Sequence, residues 1–563
     1  MKHKIIGTLF LSICMGLSAC KKQTIQTNQI ETPELTPSFA IPIGYTNLNL
    51  GDIERKLDGN GLVFNQNNAL FELVYRKNLF EITASDYLQI PAQTFTTSFS
   101  PPAPIITVLN GGGVGATASW QEQVINTLTF SNGEMLESVK LYGGNLDFSF
   151  TSDFSHAISI VLTSPYITSN TGIPFSTTVN LDYTGSTPVS ESVSIDMSGY
   201  TFDLTRNGTT TNEIELNATV YVTNSGAPVS GSESISISTN LDLNQYDEVL
   251  GYFGQITNSL NSQTDITDFY TNFSNGTLYF ADPRFELFIY NTLGVEVQNS
   301  FSSIFELADN TNVINSGSGL TNIPNLLPAG FIGDTSVLMH TIDNSNTSPS
   351  LSNLLDQGPK SVVFSTNSTL NPNGFSSNFI TRDSKVWANA NVILPFFLYA
   401  DNFILSDTTA LDLEKELKLS PEDNVTVEDV EKLTVRIITD NGLPLTSNIQ
   451  IYFADSLGNV LDSLFTDVVN GENIIEGGLI DTSLPSTDPN YGKVINSVQK
   501  TTDIVLVGQK LQNLINQKSK KIIYKVKANT TDANNQTAVK FFPEYNLFVK
   551  VSAKIDFKLN LQH

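Results

Sequence analysis

The chain has 563 residues, enough for about three to five domains with sizeable hydrophobic cores. Its net charge of −26 argues against binding to nucleic acid, because each phosphate contact needs a cation, and a hydrophobic content of 40% excludes bulk disorder. Only four His and two Cys are present, so few residues are available for a catalytic or transition-metal site. We therefore expect a protein that is not an enzyme.

The N-terminal segment has the three parts of a lipoprotein signal peptide. A basic start at residues 2–4 precedes about thirteen mostly apolar residues, too few to span a bilayer as a helix. The following tetrad, Leu17-Ser18-Ala19-Cys20, resembles the bacterial lipobox. This resemblance implies cleavage between Ala19 and Cys20 and acylation of Cys20, which would anchor the mature chain in a membrane. No cofactor is expected. An ordinary secretory signal with an accidental cysteine is the alternative.

The remaining sequence around Cys20 bears on where the anchor lies. Cys14 falls in the removed segment, so the mature chain would contain only the acylated cysteine. Lys21, rather than Asp, follows Cys20 and favours the outer membrane. Residues 21–24 lack the acidic run of surface-exported lipoproteins of Bacteroidota, so the periplasmic and surface faces both remain open. We predict that residues 20–38 are the lipidated cysteine and a flexible tether.

Beyond the tether, short runs that alternate apolar and polar residues dominate. Residues 213–222 are an example, with Ile214, Leu216, Val220 and Val222 on one side. This period is typical of half-buried strands and predicts an all-β, mainly antiparallel fold of tandem β-sandwich-like domains with a few short helices. The predicted units are an N-terminal β region, a β-sandwich-like domain, a second β domain with a leading helix and a C-terminal β domain with long basic strands, at residues 39–115, 116–243, 244–400 and 401–563.

A turn that combines Asn, Gly and Pro recurs between these runs. It occurs at residues 170–174, 224–228 and 441–444, with a degenerate copy at 291–295. Asn and Gly accept the positive φ of a tight reversal, and Pro fixes the next φ. We interpret the recurrence as repeated sandwich construction; the alternative is that such turns are common in any β protein.

The spacing of apolar residues predicts three helices and a long last strand. Apolar residues at helical intervals predict helices over residues 244–256, 409–419 and 505–514. Strict alternation from residue 546 to 561 predicts a long final strand that either bends between two sheets or belongs to an elongated domain.

Motifs that could carry chemistry are weak. His156 and His340 are far apart and lack nearby ligands, so no metal site is expected. Asp343-Asn344-Ser345-Asn346 lacks the glycine and distal glutamate of a calcium loop and is interpreted as a polar turn, although a calcium site built from several loops stays open. A glycosidase would need a pair of catalytic carboxylates, but the sequence does not single out two among its 56 acidic residues. Trp120 and Trp387 could stack a sugar, but strand aromatics more often belong to a core.

Charge is distributed unevenly, because residues 505–563 carry ten Lys against three acidic residues. The candidate basic interaction face consists of Lys518, Lys520, Lys521, Lys525, Lys527, Lys550, Lys554 and Lys558. It could meet anionic lipid headgroups or an acidic partner. Alternatively, these lysines protect edge strands from aggregation.

Several segments resemble uncharacterised multi-domain β-rich lipoproteins of Bacteroidota: residues 37–42, residues 70–75, the Asn-Gly turns and residues 441–465. The resemblance implies an outer-membrane lipoprotein and supplies no catalytic residues. We therefore expect a scaffold or accessory subunit of an envelope protein assembly. The alternative is a glycan- or lipid-binding module, in which C-terminal strands closed into a tube would hold acyl chains.

Overall fold

The computed structural model describes residues 38–49, 62–65, 70–265, 276–307, 310–410, 430–465, 471–486, 488–515 and 520–557. Across these ranges the protein is all-β, with antiparallel sheets and a few short helices, which confirms the predicted fold class. No helix in the same ranges is both long enough and apolar enough to cross a membrane.

Strands far outnumber helices along the described ranges. In chain order the strands are β1 (Ser38–Asn49), β2 (Leu62–Asn65), β3 (Leu70–Thr83), β4 (Gln93–Phe99), β5 (Thr117–Thr127), β6 (Met135–Leu141), β7 (Asn145–Ser152), β8 (Ala157–Thr168), β9 (Pro174–Leu181), β10 (Val189–Asp196), β11 (Thr201–Asp203), β12 (Glu213–Thr223), β13 (Ile235–Leu241), β14 (Tyr246–Tyr252), β15 (Thr257–Asp265), β16 (Thr277–Phe280), β17 (Arg284–Asn291), β18 (Val297–Glu306), β19 (Asn312–Asn315), β20 (Ser336–Ile342), β21 (Ser361–Leu370), β22 (Asn378–Thr381), β23 (Lys385–Pro395), β24 (Phe397–Asp401), β25 (Phe403–Ala410), β26 (Val430–Asn441), β27 (Leu445–Ala454), β28 (Val460–Ser463), β29 (Ile474–Ile475), β30 (Leu479–Asp481), β31 (Lys493–Asn496), β32 (Val498–Val507), β33 (Lys521–Thr530), β34 (Val539–Lys540) and β35 (Asn546–Phe557). The helices are α1 (Ala84–Tyr87), α2 (Ala103–Gly111), α3 (Ser318–Thr321), α4 (Leu351–Asp356) and α5 (Gly508–Ile515).

Six of the sheets pack in pairs as three sandwiches, which we call the first, second and third. The first combines the sheet β10-β7-β13-β4 with the sheet β22-β14-β6-β11-β8-β12-β5, to which β9 adds beside β8. The second combines β2-β3-β23-β17-β20 with β15-β21-β18-β19. The third combines β1-β35-β26-β32 with β25-β33-β27-β28. Aromatic contacts across the layers, such as Phe148 with Phe175 and Phe285 with Phe364, fill the interiors of the first two.

The second and third sandwiches share one topology. The strands β15, β17, β18, β19, β20, β21 and β23 occupy the places of β25, β26, β27, β28, β32, β33 and β35. In both, a short helix lies between the fifth and sixth of these strands, α4 in one and α5 in the other. Each sandwich also takes an outer strand from far away in the sequence, β3 beside β23 and β1 beside β35. This agreement supports the interpretation of repeated sandwich units.

A buried asparagine marks the same turn in both repeats. Asn291 Nδ2 donates to the carbonyls of Val295 (2.8 Å) and Leu327 (3.0 Å), and its Oδ1 accepts from the Leu293 N–H (2.8 Å). Asn441 repeats this pattern with Leu445 (3.0 Å), Glu476 (2.8 Å) and the Leu443 N–H (3.0 Å). The turns at residues 170 and 224 do not belong to this set, because Asn224 instead donates to the carbonyls of Leu109 and Gly112 beside α2.

The first sandwich has the same arrangement with additions. Its strands β4, β6, β7, β10, β11, β13 and β14 follow the shared order, and β22, which lies between β21 and β23 in the sequence, provides the outer strand beside β14. The strands β5, β8, β9 and β12 extend one sheet beyond β11. Strands therefore pair across the divisions predicted along the chain, since β1 pairs with β35, β3 with β23 and β14 with β6.

One predicted helix is wrong. Residues 246–252 form β14, whose pairing with β6 has two register irregularities, at Tyr246/Glu248 and Leu250/Gly251. The second domain therefore has no leading helix. The helix predicted at 505–514 is confirmed as α5 apart from its first three residues, which end β32. Of the helix predicted at 409–419, residues 409–410 end β25 and the rest lies outside the described ranges.

The final strand keeps its predicted alternation from Asn546 to Phe557 and stays within one sheet. Val551 and Ala553 are buried, whereas Lys550 and Lys554 are exposed. Residues 558–561 of the prediction lie outside the described ranges.

The sandwiches are joined through apolar contacts. One continuous core runs through the first and second sandwiches. Between the second and third, Leu355 of α4 packs with Phe280 and Phe541, and Leu443 of the third packs with Leu70 of β3. The turn at Asn441 thus faces the α4 end of the second sandwich, and α5 lies at the opposite end of the third.

Candidate functional site at an exposed strand edge

The predicted basic face is divided by the fold. Lys521, Lys525 and Lys527 lie on β33, which Lys520 precedes, whereas Lys550 and Lys554 lie on β35. These strands belong to different sheets of the third sandwich, and the core that contains Ile451, Phe453, Ile504 and Leu506 separates them.

Alternation points the lysines away from that core, so they occupy two opposite outer faces. The prediction of one basic face is therefore wrong for these residues. Lys518, Lys558 and the processing site at Ala19 and Cys20 lie outside the described ranges.

Other lysines of the C-terminal region support the fold. Lys540 is buried, and its Nζ donates to the Asp488 carbonyl (2.6 Å) while lying 5.0 Å from the centre of the Phe397 ring. Burial lowers the pKa of Lys540, and nearby Asp488 opposes this effect. Lys510 of α5 donates to the Leu464 carbonyl (2.7 Å), and burial lowers its pKa as well.

The two histidines and the Asp343 turn have structural contacts. His156 is buried, and its Nδ1 accepts a hydrogen bond from the Ser225 backbone N–H (3.0 Å); burial lowers the pKa of this imidazole. His340 Nε2 lies 2.8 Å from the Gly319 carbonyl. Asp343 accepts from the Ser345 N–H (2.8 Å), which confirms a polar turn. The described part of the chain contains no cluster of three or more His, Cys, Asp or Glu that could hold a metal ion.

Neither tryptophan offers an open platform. Trp120 is buried in the first sandwich against Phe154. Trp387 lies on the outer face of the second sandwich, stacked on Tyr290 of the neighbouring strand with ring centres 4.8 Å apart. Lys385 Nζ lies over the same indole at 5.1 Å and pairs with Glu81 at 2.8 Å. The ring of Trp387 is thus occupied by its own neighbours.

Strand β20 forms an edge of the second sandwich. Among the described residues it pairs on one side only, with β17. Its sequence, Ser-Val-Leu-Met-His-Thr-Ile, contains no Lys, Pro or acidic residue, which are the usual protections of an edge strand. Val337 and Met339 expose 54% and 60% of their surfaces.

The backbone of β20 is oriented for further pairing. In an antiparallel ladder, alternate residues direct both their N–H and C=O toward the same neighbour. The Thr292 N–H donates to the Lys385 carbonyl, so the even-numbered residues of β17 face β23 and the odd-numbered ones face β20. The partners of the odd-numbered residues include Leu338 and His340. The main-chain groups of Val337 and Met339 therefore point away from the sheet.

Further apolar side chains surround this edge. Val337 is in register with Tyr290, and Met339 with Phe288, so the four side chains share one outer face. The loop before β20 adds the exposed side chains of Leu327, Phe331 and Ile332. We call Val337, Met339 and these three loop residues the edge patch. Exposed apolar clusters beside free strand edges are typical of protein-binding surfaces.

A polar cleft of about 640 Å³ lies where the first and second sandwiches meet. Its lining residues are Asp86, Tyr87, Gln89, Pro91, Thr129, Phe130, Ser131, Asn132, Glu134 and Ile256. Both carboxylates are held by their own loops: Asp86 accepts from the Thr83 N–H (2.7 Å), and Glu134 accepts from the Asn132 N–H (2.9 Å) and Nδ2 (3.0 Å). The cleft thus offers fixed acceptors, hydroxyls and one phenyl ring.

Comparisons with known proteins do not show a family for this chain. No protein family and no curated protein matches the chain. Among solved structures, a protein of Parabacteroides distasonis named for its inferred secretion has 11% identity and a TM-score of 0.17, covering 63% of this chain and 99% of its own. The PBSX exported protein XepA has 6% identity and a TM-score of 0.12, covering 51% and 87%.

The CBM22-1-CBM22-2 tandem domain of Paenibacillus barcinonensis Xyn10C also has 6% identity and a TM-score of 0.12, covering 52% of this chain and 82% of its own. Similarities at these TM-scores carry no argument about the chain.

Proposed function

We propose that the protein is a non-enzymatic, lipid-anchored outer-membrane lipoprotein that acts as a scaffold or accessory subunit of an envelope assembly. The lipobox at Leu17-Ser18-Ala19-Cys20 supports the anchor. The edge of β20 supports the subunit role, because it combines free main-chain groups with exposed apolar side chains. The partner is a protein that adds an extended, uncharged strand beside β20.

The chemistry of the edge favours a strand over other occupants. Main-chain hydrogen bonds would supply affinity, and the side chains of Val337 and Met339 would supply contacts at every second position. A helix could not satisfy the outward N–H and C=O groups, because its own main-chain groups are already paired. Charged strands would lose solvation against the apolar edge patch without gaining a partner there.

A pull-down from detergent-solubilised outer membranes tests this proposal with three forms of the full chain. The wild type should recover a partner protein, and Met339→Lys should recover several-fold less of it, because the ammonium must be desolvated on pairing. Val114→Lys is the matched control, since Val114 is 80% exposed and lies in the first sandwich. It should recover as much partner as the wild type.

Recovery of the wild type alone would count against the subunit role. Equal recovery by Met339→Lys would exclude the β20 edge, and loss of self-association by that variant in gel filtration would identify a second copy as the occupant. A Cys20→Ser variant should leave the membrane fraction, and persistent membrane attachment would overturn the anchor.

The alternative, a glycan-binding module, rests on the polar cleft. Its hydroxyls, fixed acceptors and the ring of Phe130 suit a polyhydroxyl ligand, and ligand sites often lie between domains. Calorimetry of the wild type and of Phe130→Ala with outer-membrane polysaccharides tests this function. Heat of binding that disappears in the variant would favour it over the subunit role.

A further inference from the structure

The N-terminal strand enters the fold at one particular end of the third sandwich. Ser38, the first residue of β1, lies opposite Asp556 near the end of β35. At the same end β26 begins, since Val430 is in register with Phe557, and β32 ends, since Val507 is in register with Lys432. Helix α5 follows β32 directly and packs Leu511 into the core there.

The other end of the third sandwich is covered. Leu443 in the Asn441 turn and Phe542 before β35 pack with Leu70 of β3. Strand β35 has twelve residues, which at ~3.3 Å per residue separates the two ends by about 40 Å. The second sandwich therefore lies on the side of the third that is remote from Ser38.

The end that contains Ser38 displays apolar side chains. Leu457 lies in the turn between β27 and β28 and is 85% exposed. Val460 and Leu461, which begin β28, are exposed as well, and so is Val507, the last residue of β32 in the other sheet. Lys520, which donates its backbone N–H to the Ala454 carbonyl, adds an exposed cation. Within the described ranges no other sandwich packs on this end, so we call it the free end, defined by Ser38, Leu457, Val460, Val507 and Lys520.

We infer that the free end rests on the membrane that carries the lipid, so that the third sandwich stands upright and the first sandwich is furthest from the bilayer. The inference depends on the proposed acylation of Cys20. Ser38 follows Cys20 by eighteen residues, a stretch that can span at most about 60 Å. The lipid therefore enters the bilayer within about 60 Å of Ser38, and we place it at the free end, the side of the third sandwich that the second does not cover.

The apolar side chains of the free end fit this occupant. Leu and Val side chains at a bilayer interface gain free energy by leaving water, and a lysine beside them can contact phosphate headgroups. Acidic residues are also present near this end, and Lys554 pairs with Asp556 at 3.1 Å. We therefore attribute the contact to apolar burial next to the anchor, rather than to net charge.

Three single-cysteine variants of the lipidated full chain test the orientation. The mature chain has no other free thiol once Cys20 is acylated, so a fluorophore attaches only at the introduced cysteine. Leu457→Cys labels the free end, Tyr45→Cys labels the middle of β1 on the side of the third sandwich, and Val114→Cys labels the first sandwich. Their similar exposures of 85%, 78% and 80% make the probes comparable.

Each labelled protein is reconstituted in phosphatidylethanolamine–phosphatidylglycerol vesicles that contain a nitroxide-labelled lipid quencher. The Leu457 probe should lose most of its emission, the Tyr45 probe several-fold less, and the Val114 probe none. Equal quenching at Leu457 and Tyr45 would show a molecule lying on its side, and strongest quenching at Val114 would reverse the orientation; both overturn the inference. Protein that fails to bind vesicles at all would instead overturn the acylation of Cys20, and the orientation with it.

Discussion

The second and third sandwiches have the same strand order but different edge strands. Both have a buried asparagine in the equivalent turn and an outer strand from the N-terminal part of the chain. Yet β20 exposes Val337 and Met339 at an edge without charged residues, whereas the equivalent strand β32 contains Lys500 and Asp503. Inward residues thus maintain one fold while the edges have diverged in chemistry.

The protection of β32 is visible in its contacts. Lys500 Nζ donates to the carbonyls of Gly471 and Ile474, which holds that loop against the sandwich. Asp503 pairs with Arg436 on the outer face at 2.6 Å. Charged residues and a covering loop are common means of preventing unwanted strand pairing. The described strand β20 contains no Lys, Arg or acidic residue, and this makes its edge a candidate binding site.

The largest expected effect tests the equivalence of the two asparagine turns. Asn291→Ala and Asn441→Ala should each lower the free energy of unfolding by about 3 kcal/mol, because each leaves one N–H and two carbonyls unpaired in a buried turn. Urea unfolding followed by circular dichroism measures both. Asn170→Ala, in an exposed turn, is the control and should change stability by less than about 0.5 kcal/mol. Destabilisation by only one of the two would contradict the repeat.

A second effect contrasts a buried with an exposed ion pair on equivalent strands. Arg284 of β17 pairs with the buried Glu72 at 2.8 Å, and Arg436 of β26 pairs with the exposed Asp503. Glu72→Gln should cost about 2 kcal/mol in urea unfolding, because Arg284 loses the closer and more buried of its two carboxylate partners and keeps only Glu286 at 3.4 Å. Arg436→Gln should leave the midpoint unchanged, since exposed pairs add little. Equal losses would contradict the difference in burial.

The smallest effect concerns pH at the junction of the two sandwiches. Because burial lowers the pKa of Lys540, the unfolded chain binds its proton more tightly than the folded chain does. Stability of the wild type should therefore rise with pH between this lowered pKa and the ordinary value of 10.5, relative to Lys540→Met, which lacks the titrating group. Thermal unfolding at several pH values measures the difference. Parallel curves for the two proteins would show that Lys540 is not desolvated.

The sequence predicted the fold class better than individual elements. The wrong helix at 244–256 has a physical cause: the first irregularity adds one residue to β14, so that the buried Tyr246 and Val249 are three residues apart. Gly251, between the buried Val249 and Phe253, has no side chain, and the apolar pattern therefore shows intervals of three and four. At the second irregularity Gly251 has φ +143°, and a Cβ there would lie 2.4 Å from the Met135 carbonyl. Such bulges depend on the partner strand, which the local pattern does not contain.

The candidate site could be located only from the pairing of strands in the structure. Alternation correctly placed Lys525 and Lys550 on solvent faces, but it could not assign β33 and β35 to opposite sheets. Conversely, Val337 and Met339 look like core residues in the sequence, and only the register with β17 shows that they lie outside. The lack of charge in residues 336–342 is the one sequence signal that could have identified the edge.

Strand β1 also determines how the molecule would bear mechanical load. It is held by β35 along its whole length, from Ser38 to Asn49, and the proposed anchor pulls on it from the Ser38 end. Beyond Asn49 the chain continues to β2 and β3 of the second sandwich, so a partner that pulls on the second sandwich would put tension on the backbone of β1 itself. The pairing of β1 with β35 would then hold the third sandwich beside that line of force. The strand that completes the third sandwich would thus be the covalent connection that carries tension between the membrane and the second sandwich.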